Sequence, residues 1–130
     1  MITAQDARSA LPGQSVVALQ GASRQIYGFT AFPLDAPPSA AGIYIFARPA
    51  EAPRCDTLYW EPLFVGETRD MSGAVPAQRS LAARARKLGA THLLVHFCGR
   101  GEAARREKAH DLIDALHPAL NGLHRAADAA

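Results

Sequence analysis

The chain's hydrophobic pattern changes period several times, and each change marks an element. Gly42-Ile43-Tyr44-Ile45-Phe46-Ala47 is apolar on both faces. A strand of that kind belongs in the middle of a covered sheet. A second β-rich run spans roughly Leu58 to Gly66, and Pro62 within it predicts a bulge or a free edge. The turn region Ala50 to Asp56, with Pro49 and Pro53, makes these two runs antiparallel neighbours. A third strand is predicted over Thr91 to Cys98. Leu93, Val95 and Phe97 point to one face, and His92, Leu94, His96 and Cys98 to the other. Upstream, Val16 to Leu19 and Gln25 to Phe32 flank Gly21-Ala22-Ser23-Arg24, which reads as a hairpin. A helix over Ser15 to Gln20 is the competing pattern. Residues 33–41 form a proline-rich loop.

Helical periodicity fills the remaining segments. After a polar loop, Glu67 to Ser72, one helix is expected to end near Leu88, with Gly89 as its stop. Pro76 is expected in its first turn, where backbone N–H groups lack partners anyway. Glu102 to Leu116 is the strongest helix, with Leu112, Ile113 and Leu116 as its apolar stripe and Pro118 at its end. Thr3 to Leu11 reads as a short helix capped by Thr3 and stopped by Pro12-Gly13. The tail, Gly122 to Ala130, reads as a frayed helix. Strands and helices together predict an α/β chain of the α+β type, with an extension over residues 1–40, a main domain over 41–122 and a tail over 123–130.

Composition narrows the class. A chain of 130 residues is one domain's worth, and 48% hydrophobic against 20% charged residues permits a buried core. Two cysteines, Cys55 and Cys98, are too few for a disulfide framework and predict reduced thiols in the cytoplasm. Neither cysteines nor histidines show zinc-site spacing. No apolar run approaches the roughly 20 residues that span a bilayer, so no membrane partner is expected. The first residues do not read as a signal peptide. The net charge of +2 is too small to announce a nucleic-acid binder by itself. Arg79, Arg84, Arg86 and Lys87 nevertheless form a dense basic run, with a second cluster at Arg100, Arg105, Arg106 and Lys108. On a helix, Arg79, Arg86 and Lys87 share roughly one side and could contact a phosphate backbone; a solvated surface is the plainer reading of each cluster.

Motifs at the joints between elements add a resemblance. Gly42-Ile43-Tyr44 opens the first core strand, and Phe64-Val65-Gly66 followed by Glu67-Thr68 lies on the next. Gly89-Ala90-Thr91-His92 leads into the third strand. Leu112-Ile113, His117-Pro118 and Asn121 follow at the end. In this order and spacing, from about Gly42 to Asn121, the chain resembles the GIY-YIG nuclease family. The resemblance implies a small three-stranded antiparallel sheet flanked by helices. In active members this fold hydrolyses a phosphodiester bond in DNA. A first-motif tyrosine contacts the attacking water, a second-motif tyrosine and a helix arginine hold the phosphate, a glutamate holds a divalent metal, and an asparagine braces the site. A metal and an arginine there offset charge developing on the phosphate.

Carried over position by position, the pattern is incomplete. Tyr44 and Asn121 match. Phe64 replaces the second-motif tyrosine, Ala74 falls near the arginine position, and Ala109 stands where the glutamate belongs. Without that carboxylate a hard cation lacks an obvious oxygen anchor, so no cofactor is expected. The expectation is a GIY-YIG-like domain that has lost metal-dependent cleavage and keeps DNA or RNA backbone contacts through Arg79, Arg84, Arg86 and Lys87. One alternative is an active nuclease, using Mg or Mn, with Tyr44, Arg79, Glu107 and Asn121 in rearranged roles. Another is a protein-interaction or self-association module acting as a homo-oligomer or on a protein partner. His92 and His96 share a strand face and read as packing or hydrogen-bonding residues. Trp60 reads as buried.

Overall fold

The first apolar run becomes an interior strand of the sheet, covered on both faces as its two-faced hydrophobicity requires. The structure, a computed structural model, describes residues 16–51 and 58–122. The helix expected over Thr3 to Leu11, the turn containing Cys55 and the tail beyond Gly122 lie outside the described residues. Among the described residues there are five strands: β1 (Val16–Gln20), β2 (Ile26–Pro33), β3 (Gly42–Glu51), β4 (Leu58–Thr68) and β5 (His92–Phe97). They form one antiparallel sheet in the order β1-β2-β5-β3-β4. No helix among the described residues is long and apolar enough to cross a membrane.

The expected three-stranded sheet is therefore corrected to five strands, within the expected α+β class. The strands β4, β3 and β5 would leave one side of β5 unpaired. The hairpin β1–β2 fills that side, with Thr30 opposite Val95 and Phe32 opposite Leu93. Segment 16–33 is thus part of the same sheet, and Val16–Gln20 is a strand and not the competing helix. Pro62 does mark an irregularity. The β3–β4 register shifts between Phe46 and Ala47, where Phe46 faces Phe64 and Ala47 faces Pro62.

Among the described residues, three helices cover the sheet. They are α1 (Met71–Ala77), α2 (Arg79–Lys87) and α3 (Glu102–Leu116). The single helix expected before Gly89 is corrected to two. Asp70 caps α1, its side chain accepting from the Ser72 N–H at 3.1 Å, so helix begins inside the segment that reads as a polar loop. Pro76 then sits one residue before the end of α1, not in a first turn. It brings no N–H, and its ring crowds the preceding turn. The chain leaves helical geometry at Gln78 (φ −95°, ψ 56°) and starts again at Arg79. Arg48 ties the restarted helix to the sheet, donating to Glu61 at 2.7 Å and to the Leu88 carbonyl at 2.8 Å.

Alternation along each strand produces two apolar layers. Val17, Leu19, Phe29, Ile43, Ile45 and Leu94 pack with Ala109 and Leu112 of α3. Tyr44, Phe46, Phe64, Leu93 and Val95 pack with Met71, Val75 and Ala85 of α1 and α2. Trp60 is buried, its ring edge-on to His92 at 4.9 Å. At Gly42 the backbone of β5 comes so close that a Cβ would lie 2.1 Å from the His96 carbonyl oxygen. That approach accounts for a glycine at the start of β3.

Candidate functional site

The two-helix break and the outer edge of β4 together create a cleft of about 320 Å³. Tyr44, Phe64, Gly66, Ala109 and Asn121, which the motifs single out separately, all line it. Ala74 does not. Arg79 lies in a different groove, with Leu34, Val75 and Arg86, and Glu107 in a third, with Tyr27 and Asp111. The four residues of the rearranged-nuclease alternative are thus spread over three clefts.

Tyr44 is 2% exposed, and its hydroxyl donates to Gln78 Oε1 at 3.0 Å. Its ring lies across the opposite strand. A Cβ on Gly66 would meet Tyr44 Cζ at 2.5 Å, so the glycine of the second motif makes room for the tyrosine of the first. Burial pushes the Tyr44 phenol up to about 12. Such a phenol keeps its proton at neutral pH. Phe64 packs at 6.2 Å from the Tyr44 ring and 6.0 Å from that of Phe46, an aromatic floor with no hydroxyl at position 64.

Asn121 reaches β4 from the helical turn over residues 119–122. Its Oδ1 accepts from the Val65 N–H and its Nδ2 donates to the Val65 carbonyl, both at 2.8 Å. The side chain imitates a neighbouring strand and closes an otherwise open edge. The preceding helix is capped by the backbone of His117, in left-handed conformation (φ 47°), which donates to the Ile113 carbonyl.

Ala109 is 5% exposed and belongs to the α3 core layer. The carboxylate in this cleft comes from the sheet instead. Glu67 follows Gly66 on β4, and its Oε2 accepts from Arg105 Nε at 3.0 Å. Arg106 Nε lies 3.8 Å from Glu67 Oε1, while Arg106 Nη2 bonds Glu102 at 2.7 Å. Arg105 is itself 8% exposed, one helical turn before Ala109. Where the resemblance implies a free carboxylate on the helix, this chain has a sheet carboxylate already engaged by a buried arginine. Sequence reasoning missed Glu67, Gln78 and His110 as cleft residues. Strand alternation from Val65 could have placed Glu67 on the α3 face. Gln78 had no signal, because its position depends on the helix break.

The two basic clusters differ. Arg79, Arg84, Arg86 and Lys87 are all exposed, and none makes an ion pair among the described residues. The cations of α3 are engaged: Arg105 and Arg106 with carboxylates, and Lys108 with His96 Nε2 at 3.2 Å. His96 Nδ1 donates to the Gly28 carbonyl at 2.9 Å, which leaves Nε2 as the acceptor for Lys108.

The third cleft is a docking joint. Asp111 of α3 accepts from the Ser23 N–H (2.8 Å), Ser23 Oγ (2.7 Å) and the Tyr27 hydroxyl (2.7 Å), which locks the hairpin onto the helix. The bonds from Ser23 and then Tyr27 hold the Asp111 carboxyl below its ordinary range. Burial, followed by the bond to Asp111, pushes the Tyr27 phenol up to about 12. Among the described residues, no three His, Cys, Asp or Glu side chains cluster as metal ligands would. No family model matches this chain, and comparison with curated proteins and with solved structures likewise finds no match.

Proposed function

We propose that this chain is a degenerate GIY-YIG-like domain that binds nucleic-acid backbone through α2 and has lost metal-dependent phosphodiester cleavage. The observation that carries the proposal is the contrast between its two polar regions. In the cleft, which His110 also lines, the phenol and the carboxylate that could do chemistry are already engaged. Tyr44 is buried, bonded to Gln78 and protonated at neutral pH. Glu67 is bonded to Arg105. On α2, four cations stand exposed and unpaired among the described residues. Paired cations have little to gain from a phosphate, because an existing bond must be given up. Unpaired ones release counterions from the nucleic acid when they bind it.

The proposal predicts binding with little base preference and steep salt dependence. If all four cations contact phosphates, affinity for a duplex should fall roughly a hundredfold between about 50 and 200 mM salt. Titration of a labelled duplex by fluorescence anisotropy at these two salts is the test. Replacing Arg79, Arg84, Arg86 and Lys87 by glutamine should remove both the affinity and the slope. Absence of binding at low salt, or an unchanged slope in the quadruple variant, would refute the assignment of α2.

A further inference from the structure

The two outer strands of the sheet are protected very differently. At β4, Asn121 satisfies the Val65 N–H and C=O, Pro62 sits at a register shift, and Arg48 and Glu61 place an ion pair along the strand. Each device discourages pairing with another strand. The other outer strand, β1, has none of them among the described residues. Its sequence, Val16-Val17-Ala18-Leu19-Gln20, holds no charge and no proline, and its register with β2 is unbroken.

Its outward hydrogen-bonding groups can be identified. Gly21 N–H donates to the Gln25 carbonyl at 2.9 Å, in register with Gln20 opposite Ile26. Antiparallel bonding alternates from there, so Gly21, Leu19 and Val17 bond to β2. Val16, Ala18 and Gln20 direct their N–H and C=O groups away from the sheet. The same end of the sheet is apolar beyond its edge. Val16 and Ile26 lie on the face shared with α1 and α2 but are 52% and 66% exposed, and Phe97 on β5 is 52% exposed on that face. The α1–α2 pair therefore leaves this corner of the sheet uncovered.

We infer that β1 is an association surface whose partner is β1 of a second copy of this chain, paired antiparallel about a two-fold axis at Ala18. The strand is complementary to itself in that arrangement. Ala18 faces Ala18 of the other copy, with reciprocal N–H to C=O bonds. Val16 pairs with Gln20, again through outward groups. Val17 lies beside Leu19 on the α3 side, so the two buried layers run on into each other. A nucleic acid does not fit this strand, because β1 offers phosphates no cation. An isologous dimer with a continuous sheet is the closed solution.

Sedimentation equilibrium of the full chain over a micromolar concentration series tests the inference. A reversible dimer is expected. Ala18→Lys and Ala18→Glu each place like charges together at the axis and should weaken the dimer at least about tenfold. An equimolar mixture of the two should form the heterodimer, detected by native mass spectrometry, which also shows that both variants fold. A monomeric wild type across the series would overturn the inference, and this result does not depend on the variants folding. So would a Lys variant as dimeric as wild type, or a mixture that forms no heterodimer. Loss of dimer with unchanged low-salt duplex binding would separate this surface from the one on α2.

Discussion

Asn121→Ala probes whether the last motif residue braces the sheet. The wild-type side chain makes two bonds of 2.8 Å to Val65, and Asn121 and Val65 are 6% and 1% exposed. Two hydrogen bonds contribute about 2 kcal/mol net, and each buried group left without a partner costs about 1–3 kcal/mol more. Asn121 lines the cleft, so water can reach part of the vacated space and offset some of that cost. The expected loss is about 3 kcal/mol. With a urea slope of about 1.5–2 kcal/mol/M for a domain of this size, the midpoint should fall by about 1.5–2 M at unchanged slope. Asn121→Asp adds a test of direction. It keeps the acceptor for the Val65 N–H but opposes the Val65 carbonyl with a carboxylate. The folded-state pKa of that aspartate should be raised, so the variant should regain stability as pH falls, when a protonated oxygen can donate again. An unfolding free energy for Asn121→Ala within about 0.5 kcal/mol of wild type would refute the bracing role.

Further outcomes follow from the same geometry. Gly66→Ala would drive a methyl into the Tyr44 ring and should cost about 1–3 kcal/mol by thermal melt, with Tyr44→Leu in the same chain recovering part of it. Tyr27 and Tyr44 both titrate near 12 when folded against about 10 unfolded. Raised pKa values stabilise the protonated fold fully below pH 10, and that stability should drain away as pH rises from about 10 to 12. Melts across this range, with tyrosinate absorbance followed in parallel, read it out, and Tyr44→Phe should flatten the decline. Ala109→Glu would bury an unpaired carboxylate near Glu67 and should cost several kcal/mol without metal. Partial rescue of its melting temperature by Mn²⁺, confined to the variant, would mark the cleft as a former metal site.

What could be read from the chain follows from the range of the interactions involved. The strands and α3 announce themselves through local periodicity, and Glu102 to Leu116 is helical over the expected span. The hairpin is legible because its turn and both arms lie within twenty residues. Its attachment to β5 is not, since nothing in Thr30 or Phe32 names Val95 or Leu93 as partners. The helix break at Gln78 was obscured by Pro76, which reads as a start when Asp70 is taken for a loop residue. That one error hid the hydrogen-bond partner of Tyr44. The motif residues Tyr44, Phe64, Gly66, Ala109 and Asn121 were legible as separate positions, and they do meet in one cleft. The Glu67–Arg105 pair was not legible, because it joins a strand to a helix 38 residues away.

The central claim is that this domain holds nucleic acid without cutting it. Its most direct test is one gel series in which a labelled duplex is incubated at low salt with the pure protein and Mg²⁺ or Mn²⁺, then resolved under native and denaturing conditions. The account predicts a shifted band in the native gel and full-length strands in the denaturing gel at every metal concentration. Strand cleavage that requires the metal and disappears in Tyr44→Phe would contradict it.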